Sequence, residues 1–142
     1  KYAIEPWQLI FEVTECSNFC NPEQALHILS QLQKMGVRIA IDDFGTGYAS
    51  YARLKSVDAD ILKIDGDFIR NIVNNSLDYQ IVASICHLAR MKKMLVVAEY
   101  VETEEIRSAV HALGIDYVQG YLIGRPAPLE SLLETEASCA DA

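Results

Sequence analysis

Residues 39–48 read Ile39-Ala40-Ile41-Asp42-Asp43-Phe44-Gly45-Thr46-Gly47-Tyr48, an apolar run that ends in two carboxylates and a glycine-rich turn. The apolar run predicts a buried β-strand, and the Gly-x-Gly sequence predicts a loop that starts where the strand ends. Adjacent aspartates repel each other and are costly to remove from water unless a cation neutralises them. Because ligands of α/β proteins bind at this end of a strand, Asp42 and Asp43 are candidate metal ligands. The simpler alternative is that both only cap the turn, since Asp is a common turn residue.

The same pattern, an apolar run followed by a helix, recurs along the chain. Strands are predicted at 8–15, 37–43, 60–65, 94–99 and 117–120. Helices are predicted from Pro22 to Gly36, at 51–55, around 68–73, at 77–91, from a Thr103 cap to Gly114, and at 129–133. The alternation with short connections predicts a parallel α/β sheet that is covered by helices.

Polar residues lie at the same end of every predicted strand: Glu12 and Glu15, Asp42 and Asp43, Lys63 and Asp65, Glu99, and Gln119. This recurrence is typical of the site of a (β/α)-barrel. A doubly wound sheet is the alternative, but it normally concentrates its signal in one glycine-rich turn. We therefore predict an α/β fold of the modified TIM-barrel type. The chain supplies a partial barrel of about five parallel β/α units, too few to close.

The composition is that of one globular domain or less, with 142 residues, 51% hydrophobic, 23% charged and a net charge of −8. The negative charge argues against a broad phosphate-binding surface, so we expect no DNA or RNA partner. The cysteines lack the spacing of a zinc site and indicate reduced thiols. No apolar run has the length of a membrane span. We therefore expect a cytoplasmic domain without direct membrane insertion, whose parent protein could still be tethered to a membrane.

The acidic strand ends offer oxygen ligands, which suit Mg²⁺ or Mn²⁺. One carboxylate of Asp42 or Asp43 could bridge two metal ions, as in two-metal phosphoryl chemistry. Lys63 could hold the attacking water or offset charge on a phosphate oxygen, and Gln119 could orient a carboxylate. The alternatives are that Lys63 is an exposed surface lysine and that Glu12 faces outward from its strand. These residues alone predict a metal-dependent barrel enzyme, and leave an enolate-stabilising enzyme open.

Together the motifs form a set with a matching order and spacing: Glu12-Val13-Thr14-Glu15, Asp42-Asp43-Phe44-Gly45-Thr46-Gly47, Lys63-Ile64-Asp65, Ala98-Glu99, Val101-Glu102-Thr103 and Gln119-Gly120-Tyr121. In these motifs the sequence resembles the EAL-domain family of bacterial cyclic-di-GMP phosphodiesterases and their catalytically inactive relatives. The resemblance covers nearly the whole chain, from about residue 9 to residue 128. It implies a modified TIM barrel that hydrolyses one phosphodiester bond of cyclic di-GMP and gives the linear dinucleotide.

The resemblance also implies a role for each matching residue. Glu12 and Asp42 would bind a first Mg²⁺ or Mn²⁺ ion, and Asp43 and Glu99 would serve a second ion and its water. Lys63 would hold the nucleophilic water. Three further residues would bind substrate or support the site: Gln119, Asp65 and Glu102.

A loop at 44–50 links the site to the dimer interface in the family, and the resemblance implies the same loop here. Phe44, Gly45, Thr46 and Gly47 would belong to it, and Glu15 would brace it. The two glycines fit a loop that reorders, because they keep the backbone permissive. We therefore expect a homodimer.

The sequence departs from the family pattern in two respects. The Glu-Ala-Leu segment, whose glutamate is a metal ligand, and the asparagine ligand on the next motif have no counterpart. We therefore expect residues 9–134 to be the C-terminal part of an EAL domain, 1–8 a remnant of a preceding segment, and 135–142 a flexible tail. Tyr100 stands where the family has glycine. The tyrosine side chain penalises any positive φ at this position and could narrow the pocket.

Two functions fit these features. The parent protein is either an active, metal-dependent phosphodiesterase or a non-catalytic cyclic-di-GMP receptor or interaction module, and the retained acidic residues favour the enzyme. Without the two missing ligands, the isolated chain is expected to be inactive or weak as a monomer. Because an open barrel exposes unpaired strand edges, we expect dimerisation or an exchange of elements that buries the edge strand at 9–14.

Overall fold

The computed structural model describes residues 3–14, 22–45, 54–55 and 57–128. These residues form the strands β1 (Ile10–Thr14), β2 (Arg38–Phe44), β3 (Ile61–Ile64), β4 (Leu95–Ala98) and β5 (Tyr117–Val118). The helices are α1 (Pro22–Lys34), α2 (Gly66–Ile69), α3 (Ser76–Met91) and α4 (Glu104–Ala112), and a short 3₁₀ helix spans Pro6–Gln8. The five predicted strands are therefore confirmed; four are two or three residues shorter than expected, and β2 has the expected length but begins and ends one residue later.

Two predicted helices lie wholly or partly outside the described residues. The helix at 129–133 is outside them, and of the helix at 51–55 only Leu54 and Lys55 are described, both helical. The predicted cap of α4 is confirmed, because the Thr103 side chain accepts a hydrogen bond from the backbone N–H of Ile106 at 3.3 Å.

The strands form one sheet in the order β1-β2-β3-β4-β5, and each neighbouring pair is parallel. Each strand therefore lies beside the one that follows it in sequence, as in a barrel, whereas the strand order of a doubly wound sheet reverses. The predicted partial barrel of five parallel β/α units is confirmed. Among the described strands, β1 pairs with β2 alone and forms one edge.

The hydrophobic core lies between one face of the sheet and the helices. On this face Ile39, Ile41 and Ile64 are almost completely buried, and Val82 of α3 and Val110 of α4 pack into the same cluster. The opposite face of the sheet carries Glu12, Lys63 and Gln119 around a cavity of about 350 Å³. The sheet therefore separates an apolar core from a polar concave face, which is the arrangement of half a barrel.

Candidate metal and catalytic centre

A β-bulge in β2 brings two neighbouring carboxylates to the same side of the sheet. Ile41 pairs with Leu62 and Phe44 with Ile64, so β2 has one residue more than β3 between these pairs. Asp43 adopts the left-handed conformation, with φ +54°. Successive residues of a regular strand point to opposite faces, so the bulge is what allows Asp42 and Asp43 to act together.

Lys63 lies at the centre of the polar face. It is only 7% exposed, and its Nζ lies 2.7 Å from Asp42 Oδ1, 2.9 Å from Glu99 Oε1 and 3.2 Å from Glu12 Oε2. The alternatives of a surface lysine and an outward-facing Glu12 are therefore wrong. A buried lysine is rare unless it is paired, and these three carboxylates are its partners.

The carboxylates lie close enough together to change one another's pKa. Burial raises the pKa of Asp43, and the neighbouring charges of Asp42 and Asp65 raise it further. Burial also raises the pKa of Glu99, although its contact with Lys63 opposes this shift. For Lys63, burial lowers the pKa, but the ion pairs with Asp42 and Glu99 outweigh burial and raise it. Lys63 is therefore held as a cation.

These residues fit a divalent cation. One carboxylate oxygen from each of Asp42, Asp43 and Glu99 lies within 4.8 Å of the other two. Asp42 Oδ1 is shielded from solvent and accepts no regular hydrogen bond within the described part of the chain, although it lies beside Lys63. Closely spaced carboxylate oxygens are the donors that Mg²⁺ and Mn²⁺ prefer. Glu12 is connected to the same site by its ion pair with Lys63, and its side chain is about half exposed.

A second cavity, of about 340 Å³, opens beside the carboxylates. Asp43 and Glu99 line it on one side, and Gln119 and Glu102 also contribute. Gln119 is bound to the end of β4 through its backbone, because its N–H donates to the carbonyl oxygen of Ala98 at 2.8 Å. The cavity is at the lower end of the volume range of small-molecule sites, about 300–1,000 Å³.

Asp65 has a structural contact of its own. It caps α2, because its carboxylate accepts a hydrogen bond from the N–H of Asp67 at 2.8 Å. The same residue follows the end of β3 and contributes to the raised pKa of Asp43. Asp65 therefore connects the start of α2 to the carboxylate site.

The first residues of the predicted coupling loop are described. Phe44 is buried, and Gly45 has φ +111°, a conformation that strongly favours glycine. The ring of Phe68, on α2, packs directly over Gly45, where an added Cβ would lie 2.5 Å from Phe68 Cε2. Three predicted loop or bracing residues lie outside the described ranges: Glu15, Thr46 and Gly47.

Three features of the site were not predicted from the sequence. The bulge has no local signal beyond the Asp-Asp pair, and Phe68 reaches Gly45 only through the tertiary fold. Arg70 is the other residue missed, since its guanidinium Cζ lies 3.9 Å from the ring centroid of Tyr100. A contact over 30 positions has no periodic signal that could reveal it.

The described helices contain none that combines the length and the apolar character needed to cross a bilayer.

Comparison with known proteins identifies relatives along almost the whole chain. The family model described as "EAL domain" matches residues 1–126. The cyclic di-GMP phosphodiesterase PdeF of Escherichia coli K12 is 74% identical over 137 residues, which are 96% of this chain and 18% of PdeF. The chain thus spans about a fifth of the length of this curated relative.

Solved structures resemble the same region. The PaMucR phosphodiesterase from Pseudomonas aeruginosa, solved as a c-di-GMP complex, has a TM-score of 0.83 and 46% identity, covering 91% of this chain and 52% of that chain. BlrP1 of Klebsiella pneumoniae, solved as a manganese and cyclic-di-GMP complex, has a TM-score of 0.82 and 35% identity. The match covers 87% of this chain and 32% of BlrP1.

Proposed function

The chain belongs to the EAL-domain family, and from this premise we propose that the full natural protein in which it occurs hydrolyses cyclic di-GMP to the linear dinucleotide in bacterial signalling. The observation that carries the proposal is the cluster of Asp42, Asp43 and Glu99, whose carboxylate oxygens lie within 4.8 Å of one another beside the buried cation of Lys63. The names of the relatives support the substrate, because PdeF is a cyclic di-GMP phosphodiesterase.

Asp42, Asp43 and Glu99 would hold Mg²⁺ or Mn²⁺, with Glu12 as a further ligand. When bound, such ions polarise a phosphoryl oxygen and lower the pKa of a coordinated water. Lys63, kept charged by its carboxylate neighbours, is suited to orient a water and to offset negative charge that develops on the phosphate. Gln119 lines both cavities and would orient a ligand group between them.

Asp65 and Glu102 would support this arrangement at its border. Asp65 would hold α2 in place beside Asp43, and Glu102 would shape the open side of the cavity. Phe44 and Gly45 would connect the site to a loop that includes Thr46 and Gly47, braced by Glu15.

We also propose that the protein forms a homodimer and acts in the cytoplasm. Support for a dimer comes from the edge strand, where Leu9, Ile10 and Phe11 are 44–51% exposed and β1 has β2 as its one partner among the described strands. Apolar residues on an unpaired edge favour association with a further strand or a second copy. Light scattering of the purified 142-residue chain tests the dimer, and a monomer at all concentrations would contradict it.

The experiment that tests the function is turnover of cyclic di-GMP by the full natural protein in which these residues occur. We expect hydrolysis in Mg²⁺ or Mn²⁺ and none in EDTA. Glu99→Gln should lower kcat by about 100-fold or more, because it removes one of the three carboxylates that would hold the metal ion. Glu23→Gln, on the exposed side of α1, is the matched control and should retain full activity.

The proposal is contradicted if the wild-type protein shows no metal-dependent turnover, or if Glu99→Gln and Glu23→Gln have equal rates. Equal rates would mean that the carboxylate cluster has no part in the reaction.

A further inference from the structure

Tyr100 is a strained residue beside the carboxylate site. It follows Glu99 directly and has φ +55°, a conformation that bulky residues rarely adopt. A residue held in such a conformation at a ligand site needs contacts that compensate for the strain, and it points to a functional role.

The contacts that hold Tyr100 come from the short helix α2. An added Cβ on Gly66 would lie 2.1 Å from Tyr100 Cδ2 and 2.6 Å from Tyr100 Cγ, so the ring packs directly on the Gly66 backbone. Arg70 Cζ lies 3.9 Å from the ring centroid. Arg70 is the C-cap residue of α2, four positions after Gly66, so the two residues that contact the ring lie about one helical turn apart. Part of the ring is therefore covered.

The exposed part of Tyr100 borders the substrate cavity. Tyr100 is 47% exposed and lines the cavity of about 340 Å³, together with Asp43 and Glu99. The cavity thus combines an oriented aromatic surface with carboxylates that are suited to hold the metal ions for a phosphodiester. A nucleotide has the same two parts, a flat base and a phosphate.

We infer that Tyr100 is a specificity-determining residue whose exposed ring face stacks on a guanine base of the substrate. This inference rests on the proposed function, because it takes cyclic di-GMP as the ligand. Aromatic side chains stack on nucleobases through their π-faces, and a ring already fixed by Gly66 and Arg70 loses little freedom on binding.

The test measures binding separately from turnover in the full natural protein. Cyclic di-GMP is titrated into the protein in EDTA by isothermal titration calorimetry, so that no hydrolysis occurs. Tyr100→Gly removes the ring but keeps the backbone conformation accessible, and Tyr100→Phe keeps the ring. The control is Lys93→Gly, because exposed Lys93 also has a positive φ, +60°, in the turn that precedes β4 and outside the cavity lining.

We expect Tyr100→Gly to raise the Kd for cyclic di-GMP by about tenfold, the scale of one base–aromatic contact. Tyr100→Phe and Lys93→Gly should stay within about twofold of wild type. Circular dichroism confirms that each variant is folded.

Unchanged affinity in Tyr100→Gly would overturn the inference. Equal weakening by Tyr100→Phe would also overturn it, since loss of the hydroxyl group alone would then account for the effect. If the wild-type protein binds, shows this pattern and does not hydrolyse cyclic di-GMP, the hydrolase proposal fails and the stacking role stands. Absence of binding by the wild-type protein in EDTA would overturn the stacking inference, whereas the hydrolase proposal is decided by the turnover measurement in Mg²⁺ or Mn²⁺.

Discussion

Replacing Gly66 by alanine should destabilise the protein only while Tyr100 is present. The new Cβ would lie 2.1 Å from Tyr100 Cδ2 and 2.9 Å from Tyr100 Cβ. To restore a carbon contact of 3.5 Å, the ring would have to retreat by about 1.4 Å. The atoms in contact include Tyr100 Cβ, at 2.9 Å, which cannot move without the backbone, so a change of rotamer does not remove the whole clash.

The expected magnitude follows from three contributions. Overpacking of this kind costs about 1–3 kcal/mol. Displacing the ring also loses the contact with Arg70, worth about 0.5–1 kcal/mol at an exposed site. Against this, alanine is more favourable than glycine in a helix by at most about 0.5–1 kcal/mol. The net loss in the free energy of unfolding should therefore be about 2 kcal/mol, or a Tm lower by roughly 4–8 °C.

A double-mutant cycle isolates the contact. In the Tyr100→Gly background the tyrosine ring is absent, so Gly66→Ala should leave the free energy of unfolding unchanged or raise it by up to about 0.5–1 kcal/mol. The assay is urea unfolding followed by circular dichroism, with unchanged m-values as the check that each comparison concerns the same transition. If Gly66→Ala costs the same in both backgrounds, the ring does not rest on Gly66, and the argument for a fixed aromatic surface is lost.

Three further predictions concern the core and the site. Gly120→Ala should lower the free energy of unfolding by about 2–3 kcal/mol, because the new Cβ would lie 2.3 Å from the Val101 carbonyl oxygen. Gly124→Ala is the control: no atom lies within 4 Å of its new Cβ, so the free energy of unfolding should change by less than about 0.5 kcal/mol. Equal melting temperatures for these two variants would contradict the packing. Burial raises the pKa of the Cys86 thiol. The contribution of this thiol to the free energy of unfolding is therefore fully present below the unfolded-state pKa of about 8.5 and is lost at higher pH. The stability difference between wild type and Cys86→Ala should therefore shrink above about pH 8.5, and a constant difference up to pH 10 would refute this. Lys63→Met should cost about 3 kcal/mol in EDTA, since it leaves carboxylates facing one another, and Mg²⁺ should restore more of its Tm than it adds to wild type. An equal Mg²⁺ effect on both proteins would show that the ion does not bind at these carboxylates.

The order of the strands and helices could be predicted because local signals determine it. Apolar runs such as 94–99 and 60–65 correspond to β4 and β3, and Thr103 begins α4 as its capping role predicts. Strand ends were less accurate, because a strand ends where its ladder of hydrogen bonds ends, which depends on the neighbouring strand. β5 is the clearest case, with two residues in the sheet where four were predicted.

The residues of the site could be predicted as a group, but their mutual distances could not. Lys63 was an ambiguous residue in the sequence, since an isolated lysine is usually exposed. Its burial in β3 becomes visible only when β1, β2 and β4 supply Glu12, Asp42 and Glu99 around it. In the same way, the contact between Arg70 and the Tyr100 ring forms only because α2 lies next to the end of β4, and these two residues are 30 positions apart in the sequence.

The bulge shows why the sequence alone could not decide between a turn cap and a metal site. In a regular strand one of Asp42 and Asp43 would point into the apolar core, where an unpaired carboxylate is not tolerated. The left-handed conformation of Asp43 removes this conflict, and Asp accepts it more readily than most residues do. The extra residue in β2 therefore strains the backbone, but it also brings the carboxylate oxygens of Asp42, Asp43 and Glu99 within 4.8 Å of one another. Tyr100 repeats this arrangement one strand away, with a positive φ directly after Glu99. Both strained positions lie at the carboxyl ends of strands and line one cavity, which is where backbone strain is expected if it serves the site and not the fold.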